Sequence, residues 1–328
     1  MNVAVIGLGS MGKRRIRLIR QYDPNIKIIG VDLNEKRSTD VKNEYQIDIC
    51  SSISQAKKEF DVTEVFISTS PLSHAEIINE CLKLKLNVFT ELNLVADGYN
   101  ENIELAQQNG CLLFLSSTCL YRDEVKYIQD CVKNSDSLLC YNYHIGQYLP
   151  DWHPWESYKS FFISNKKTNG CREIFAVELP WLVECFGDIK SYKVIKNKIT
   201  GLDIDYPDNY MVLLEHSNGH KGVFCVDVVS RKAVSNFELY GEDVYIKWDG
   251  SPDGLVKYNI ENKCDEKINL YEKVDKLGEY SSSIIENAYY NEVQCFFDAV
   301  KGKATPIYSF EKDEKILSTI SAIEGEQG

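Results

Sequence analysis

Short apolar runs alternate with amphipathic segments over the first third of the chain. Val3–Ile6, Lys27–Val31, Val65–Thr69, Asn87–Thr90 and Leu112–Leu115 predict short buried strands. Between them, Arg14–Tyr22, His74–Leu84 and Asn100–Gln108 carry apolar residues at helical spacing. Strand alternating with helix implies right-handed crossovers and a doubly wound parallel sheet. The alternation stops soon after Ser116-Ser117-Thr118, and a helix over Asp123–Val132 and a strand over Ser137–Tyr143 follow.

The second half reads differently. Met211–Glu215, Gly222–Val229, Asn236–Tyr240 and Val244–Trp248 are period-2 or β-branched runs joined by turn signals at Asn218-Gly219 and Gly241-Glu242-Asp243. They predict an antiparallel sheet, with helices over Trp155–Asn165 and Glu173–Phe186 before it. Ile284–Val300 and Phe310–Ile323 predict a helical tail. The expected architecture is α/β: a parallel, doubly wound domain over 1–120, and an α+β domain over 121–328 with a large, mostly antiparallel sheet. The tail from about 284 to 328 is expected to pack back on the first domain. Ligands are expected in the crevice between the two domains, at the carboxyl ends of the parallel strands.

Length and charge narrow the function. At 328 residues the chain is long for one core, which favours two domains. A formal net charge of −12 argues against nucleic acid and anionic membrane as partners, since both require a basic face. No apolar stretch approaches the ~20 residues of a membrane span, and the opening residues do not form a signal peptide. The 11 cysteines include no C-x-x-C pair and no zinc spacing. Several, among them Cys81, Cys111, Cys140, Cys185, Cys225 and Cys295, sit in apolar segments. Reduced thiols in a cytoplasmic protein are expected.

The opening MNVAVIGLGSMG supplies the first chemistry. Gly7, Gly9 and Gly12 follow a strand and open a helix in the spacing G-x-G-x-x-G, with Ser10 and Met11 in the first helical turn. In such a loop the first glycine makes the turn, the second lets backbone approach a pyrophosphate, and the third permits close helix–strand packing. Asp32 closes the second strand at the distance suited to an adenosine ribose. The expectation is a Rossmann domain binding NAD, because the Asp32 carboxylate repels the 2′-phosphate of NADP; Lys36 and Arg37, just downstream, are the counter-argument.

Several segments together resemble the Gfo/Idh/MocA family of NAD(P)-dependent oxidoreductases across essentially the whole chain. They are GLGSMGKRRIR, STSPLSHAE (Ser68–Glu76), VFTELNL (Val88–Leu94) and a closing helix beginning YYNEVQCFFDAV. GSMGKRR, GQYLPDWHPW (Gly146–Trp155) and a Glu-x-x-Trp-Leu run resemble a subgroup associated with sugars of bacterial surface polysaccharides. The resemblance implies that Thr69, Ser70, Pro71 and His74 line the cofactor, and that Glu91 lies on its nicotinamide side. His74 is equally read as a capping or packing histidine. The family's catalytic lysine falls on Leu92 and its proline on Asn93. Its helix-borne histidine, and an aspartate three residues later, fall on Val177 and Pro180.

Leucine and valine cannot carry the hydroxyl proton that hydride transfer requires. The candidates to replace them are Glu178, also read as a surface-paired carboxylate, and Tyr148 and His153. For a substrate, Asn93, Gln147, Trp152, Trp181 and Arg231 are candidates, with Trp155 beside them: aromatic faces for a sugar, and a guanidinium for carboxylate or phosphate. The GQYLPDWHPW segment is also read as an aromatic seal between domains. Arg14 and Arg15 are assigned either to cofactor phosphates or to nearby acids. His216 and His220, flanking the Asn218-Gly219 turn, are read as exposed. No metal is implied. The function expected is oxidation or reduction of a sugar or nucleotide-activated sugar in surface glycan biosynthesis, by a homo-oligomer paired through its antiparallel sheet. Two alternatives stay open: an NAD(H)-binding sensor or partner subunit without turnover, and an epimerase or hydrolase that uses NAD transiently.

Overall fold

The computed structural model describes residues 1–152, 157–276 and 284–325. The first third runs β1 (Asn2–Ile6), α1 (Ser10–Tyr22), β2 (Lys27–Val31), α2 (Glu35–Tyr45), β3 (Asp48–Cys50) and α3 (Ile53–Phe60). It continues through β4 (Glu64–Ile67), α4 (His74–Lys83), β5 (Asn87–Thr90), α5 (Tyr99–Asn109) and β6 (Leu113–Leu115). There follow α6 (Asp123–Lys133), β7 (Cys140–Gly146), α7 (Gly170–Phe186), β8 (Ile189–Asn197), β9 (Asn209–His216) and β10 (Lys221–Asp227). The chain then forms β11 (Val234–Tyr240), β12 (Tyr245–Trp248), β13 (Val256–Asn259), β14 (Cys264–Lys267), α8 (Glu286–Val300) and α9 (Phe310–Gly325).

Two compact units result: Met1–Ser117 with Tyr289–Lys315, and Thr118–Ala288 with Ile316–Gly328. The tail therefore divides, Tyr289–Lys315 returning to the first unit and the residues from Ile316 belonging to the second.

The first unit is a parallel sheet in the order β3-β2-β1-β4-β5-β6. The order reverses direction between β1 and β4, which is where a doubly wound sheet opens a ligand crevice at its carboxyl edge. In-register phenylalanines from three neighbouring strands stack on one face, Phe66 on Phe89 at 4.7 Å and Phe89 on Phe114 at 5.1 Å between centroids. Phe296 of α8 meets all three edge-on. One ring thus ties the returning helix to the sheet, in the geometry aromatic quadrupoles favour.

The second unit is an eight-stranded sheet in the order β14-β13-β12-β11-β7-β10-β9-β8. Every pair in it is antiparallel except β7 with β10. Tyr141, Tyr143, Phe224 and Phe237 point to one face, against Phe175, Trp181 and Phe186 of α7. The opposite face leaves Ile195, Met211 and Leu213 exposed.

Two expectations change. The described part of Trp155–Asn165 is not an α-helix but short 3-10 turns at Tyr158–Ser160 and Phe162–Ser164, followed by another at Lys166–Thr168. Ser157 and Asn165 accept from the backbone N–H two residues on, so polar side chains divert the backbone from helical pairing. His216 and His220 are buried, not exposed. His216 Nδ1 lies 2.6 Å from the Gly187 carbonyl and Nε2 3.0 Å from the Tyr141 hydroxyl, while His220 Nδ1 accepts from Leu139 N–H. Burial lowers the pKa of both rings. Strand β8 and helices α2 and α3 are additions to the elements that the sequence predicted. In α2 only Val41 is buried.

No described cysteine forms a disulfide; Cys81, Cys171 and Cys185 are buried, and Cys264 is exposed. No helix among the described residues is long and apolar enough to cross a membrane. No group of three or more His, Cys, Asp or Glu among them is placed to hold a metal.

Candidate functional site

The carboxyl edge of the first unit's sheet is built around its glycine loop. Gly7 turns the chain at the end of β1 with φ +86°, and its N–H donates to the Val31 carbonyl at 2.9 Å. A Cβ at Gly7 would stand 2.6 Å from the Ser68 carbonyl oxygen, and one at Gly12 only 1.9 Å from that of Gly7. Protein packing therefore demands both glycines. Gly9 differs: a Cβ there would meet nothing within 4 Å. Its small size serves something other than the fold. Gly9 is also the N-cap of α1, which has no side-chain cap and no acid in its first turn, through Ser10 and Met11. Such a helix start offers backbone donors and partial positive charge to an anion.

Asp32 organises the edge of this loop. Its Oδ2 accepts from Leu8 N–H at 2.7 Å and its Oδ1 from Asn34 N–H at 2.8 Å. Arg37 Nη1 donates to Oδ2 at 3.0 Å, while Lys36 is exposed. After β4, Thr69 is half-buried, Ser70 exposed and Pro71 buried at the start of a 3-10 turn. These residues fit a dinucleotide: uncapped helix donors for its pyrophosphate, open space at Gly9 for close approach, and a carboxylate for the ribose. Bound there, NAD supplies a hydride acceptor.

His74 and Asn93 are both 2 % exposed, which leaves them little ligand surface. His74 Nδ1 lies 2.7 Å from Asn93 Oδ1, and Nε2 3.1 Å from the Thr69 carbonyl. Burial lowers the ring's pKa against those contacts. The pair braces the Thr69 turn. Asn93, expected at the substrate, puts its Oδ1 into the same brace.

Arg15, wholly buried, grips Glu91 with both arms, Nε to Oε1 at 2.6 Å and Nη2 to Oε2 at 2.8 Å. Nη2 also reaches Glu292 Oε2 at 2.8 Å, and the guanidinium lies 4.4 Å from the Phe89 ring centroid. Burial opposes its charge, but the two carboxylates outweigh burial and raise its pKa. Arg14 bonds Met11 Sδ and covers the Tyr289 ring. Of the two assignments open for Arg15, pairing with acids is the one observed. Glu91 stays at the carboxyl end of β5 with its side chain 13 % exposed.

In the second unit, β7 runs directly into the aromatic segment. Tyr148 N–H bonds the Ser230 carbonyl and Leu149 N–H that of Val228. Trp152 Nε1 bonds the Gln147 carbonyl, and Arg231 lies 4.1 Å over the Tyr148 ring. Gln147, Tyr148, Trp152 and Arg231 thus meet in one place. Asp227 anchors it. Its Oδ1 accepts from Val229 and Ser230 N–H, and its Oδ2 lies 2.7 Å from His144 Nε2. Burial works against this carboxylate, but its bonds prevail and lower its pKa. His153 and Trp155 lie outside the described residues.

Helix α7 presents two very different acids. Glu178 is buried, its Oε2 accepting from Tyr143 Oη at 2.9 Å and Trp181 Nε1 at 2.6 Å. Burial raises its pKa against those two bonds. Trp181, expected at the substrate, has no exposed surface and packs edge-on to Phe237 and Trp248, so it offers no face to a ligand. Glu173 lies in the first turn of the helix. Its Oε2 is buried without a hydrogen-bond partner among the described residues, and burial alone pushes its pKa to about 7. Val177, one turn further on, is half-buried, as is Leu92.

Comparison with known proteins shows what the first unit is similar to. Residues 1–117 match the family described as Gfo/Idh/MocA, oxidoreductase family, NAD-binding Rossmann fold. The first 117 residues are similar to that NAD-binding domain. Solved structures share the architecture of the whole chain. GenD2 from gentamicin A biosynthesis, in complex with NAD, is 16% identical with a TM-score of 0.75, over 98% of this chain and 92% of that one. UDP-N-acetylglucosamine 3-dehydrogenase GnnA from Acidithiobacillus ferrooxidans is 14% identical with a TM-score of 0.75, over 98% and 96%. An NAD-binding oxidoreductase from Klebsiella pneumoniae is 13% identical with a TM-score of 0.80, over 99% and 96%. At such identities the likeness establishes the fold. No curated protein matches the sequence. Within the first unit, the glycine loop follows β1 and Asp32 follows β2. The bracing by His74, Asn93 and Arg15 is what the structure adds.

Proposed function

We propose that the chain is an NAD-dependent oxidoreductase acting on a carbinol carbon of a sugar or nucleotide-activated sugar, in building a surface glycan. The observation that carries this reading is the uncapped start of α1 with open space at Gly9, next to the Asp32 carboxylate. The choice of NAD over NADP rests on the charge of Asp32. Arg37 lies against it, however, so some NADPH binding is expected. The sugar rests on two supports. GenD2, from gentamicin A biosynthesis, and GnnA, a UDP-N-acetylglucosamine 3-dehydrogenase, are alike in fold. The cluster of Gln147, Tyr148, Trp152 and Arg231 offers a stacking face, hydroxyl partners and a cation for a phosphate. A cytoplasmic setting suits both the NAD pool and thiols without disulfides.

A fluorescence titration with NADH and NADPH, followed by turnover assays with UDP-sugars, tests the reading. Tight NADH binding and NADH formation from a UDP-sugar support it; binding of neither nucleotide overturns it. Leu92 and Val177, hydrocarbon where a proton carrier is expected, favour a second reading: binding without turnover, seen as tight NADH binding with no oxidation of any sugar. Product formed without net NADH change, and lost when NAD is removed, marks transient use of the cofactor. The exposed Ile195, Met211 and Leu213 on the outer sheet face support pairing with a second copy. In light scattering, Met211→Glu then lowers the mass.

A further inference from the structure

The carboxyl edge of the first unit's sheet is a row of residues, one from each of five strands. Asp32, Gly7, Ser68, Glu91 and Ser116 are the first residues beyond β2, β1, β4, β5 and β6, in the spatial order of those strands. Backbone bonds hold the row level: Gly7 N–H to Val31, Ser68 N–H to Ile6, Glu91 N–H to Ile67 and Ser116 N–H to Thr90. A dinucleotide with its ribose at Asp32 and its pyrophosphate at Gly9 extends its other half along this row, past Ser68 to Glu91. From β2 to β5 is three strand spacings, about 14 Å, within the reach of an extended dinucleotide.

Charge at that end of the row is unbalanced. Arg15 carries one positive charge and bonds two carboxylates, Glu91 of the row and Glu292 of α8. Glu292 also accepts from Ser116 Oγ at 2.9 Å and from Ser117 N–H at 2.8 Å. Burial raises its pKa and Glu91 adds to the rise, while Arg15 and Ser116 oppose it. Every one of these donors suits a carboxylate. Arg14, the neighbouring cation, bonds Met11 Sδ at the start of α1 and covers the Tyr289 ring. Ionised, Arg15, Glu91 and Glu292 sum to one negative charge. Of the three, Glu91 alone keeps exposed side-chain surface. Its Oε1 lies 3.4 Å from Ser68 Oγ, the next position along the row toward the glycine loop.

We propose that this buried triad sets the cofactor preference of the site by redox state, favouring NAD over NADH. The oxidised nicotinamide ring carries a positive charge that the reduced ring lacks, and the triad's surplus negative charge attracts only the former. The proposal rests on the oxidoreductase reading above. Buried charges are poorly screened by salt and act over several ångströms where the dielectric is low. By linkage, a site that holds the oxidised form more tightly makes the bound reduced form a stronger hydride donor. The second carboxylate is what tips the balance: Arg15 with Glu91 alone would be neutral, and Glu292 supplies the surplus from a position with no exposed surface.

The full chain tests this as wild type, Glu91→Gln, Glu91→Asp and Glu292→Gln, each titrated calorimetrically with NAD, NADH and ADP-ribose at pH 8. ADP-ribose lacks the nicotinamide ring, so its dissociation constant should agree within about twofold in all four proteins. Loss of either carboxylate's charge should weaken NAD relative to NADH by roughly 5- to 30-fold. Glu91→Asp keeps the charge and should hold the wild-type ratio within about threefold. Glu292 has no exposed surface, so a shift in Glu292→Gln reads charge and not contact. A ratio within twofold of wild type in Glu91→Gln overturns the proposal, as does a shift that Glu91→Asp shares or that a folded Glu292→Gln lacks. An ADP-ribose constant that changes as much as that of NAD also overturns it. If Glu292→Gln does not fold, Glu91→Gln and Glu91→Asp decide between them. A wild type that binds none of the three ligands overturns the oxidoreductase reading, and the triad's role with it. One that binds all three, with no shift in any variant, overturns the triad's role alone.

Discussion

Helices α1 and α7 begin in opposite ways. The start of α1 is a bare glycine, with no side-chain cap and no acid in the first turn. That of α7 is sealed by Asn169, whose Oδ1 accepts from Arg172 N–H at 2.8 Å, and carries Glu173 just inside. The first is an electrostatic invitation to an anion. The second caps one of its own backbone donors and carries a carboxyl whose charge burial disfavours. The same secondary structure therefore starts with open backbone donors at one place and a side-chain cap at another, and a few residues around the cap decide which.

Substitutions at these two starts should separate their roles. The largest effect belongs to Gly12→Ala, whose new methyl would sit 1.9 Å from the Gly7 carbonyl oxygen. It should cost more than about 3 kcal/mol in denaturant unfolding and abolish NADH binding. Glu173→Gln should act in the reverse sense. A folded-state pKa of about 7 against the usual 4.5 penalises the charged form, so wild-type stability falls as pH rises from about 4.5 to 7 and then levels. The variant should gain up to about 3 kcal/mol at pH 8 and nothing at pH 4, read from unfolding curves at both pH values. Asn169→Ala removes the α7 cap and should cost about 1–2 kcal/mol, with NADH affinity unchanged. Gly9→Ala meets no neighbour, so stability should stay within about 0.5 kcal/mol while NADH affinity falls at least roughly tenfold. Equal losses of stability in Gly9→Ala and Asn169→Ala would erase the distinction between the two helix starts.

What could be read in advance follows the same division. The glycine loop is local: strand, turn and helix lie within a dozen residues, and spacing alone conveys their geometry. Strands Lys27–Val31 and Asn87–Thr90 were legible to the residue, because buried parallel strands are runs of β-branched and apolar side chains. Glu173 was not legible, since its isolation depends on surroundings gathered from distant parts of the chain. Arg15 holds Glu91 and Glu292, 76 and 277 residues away, and no spacing rule reaches so far. At Asn218-Gly219 the hairpin was visible, but not the burial of His216 and His220 on either side. A turn is written in its own residues, whereas burial is written in whatever packs over them.

One bond at Asp32 has a consequence for anyone wishing to re-engineer this protein. The carboxylate expected to choose between the two nicotinamide cofactors also accepts the Leu8 N–H, inside the glycine loop. Preference and scaffold share an atom. Replacing Asp32 to admit a phosphate would free Arg37 to bind it, yet would also release the backbone that shapes the pyrophosphate cradle. A cofactor switch at this one position would therefore be bought with affinity for both dinucleotides, and a practical redesign must first give Leu8 another acceptor.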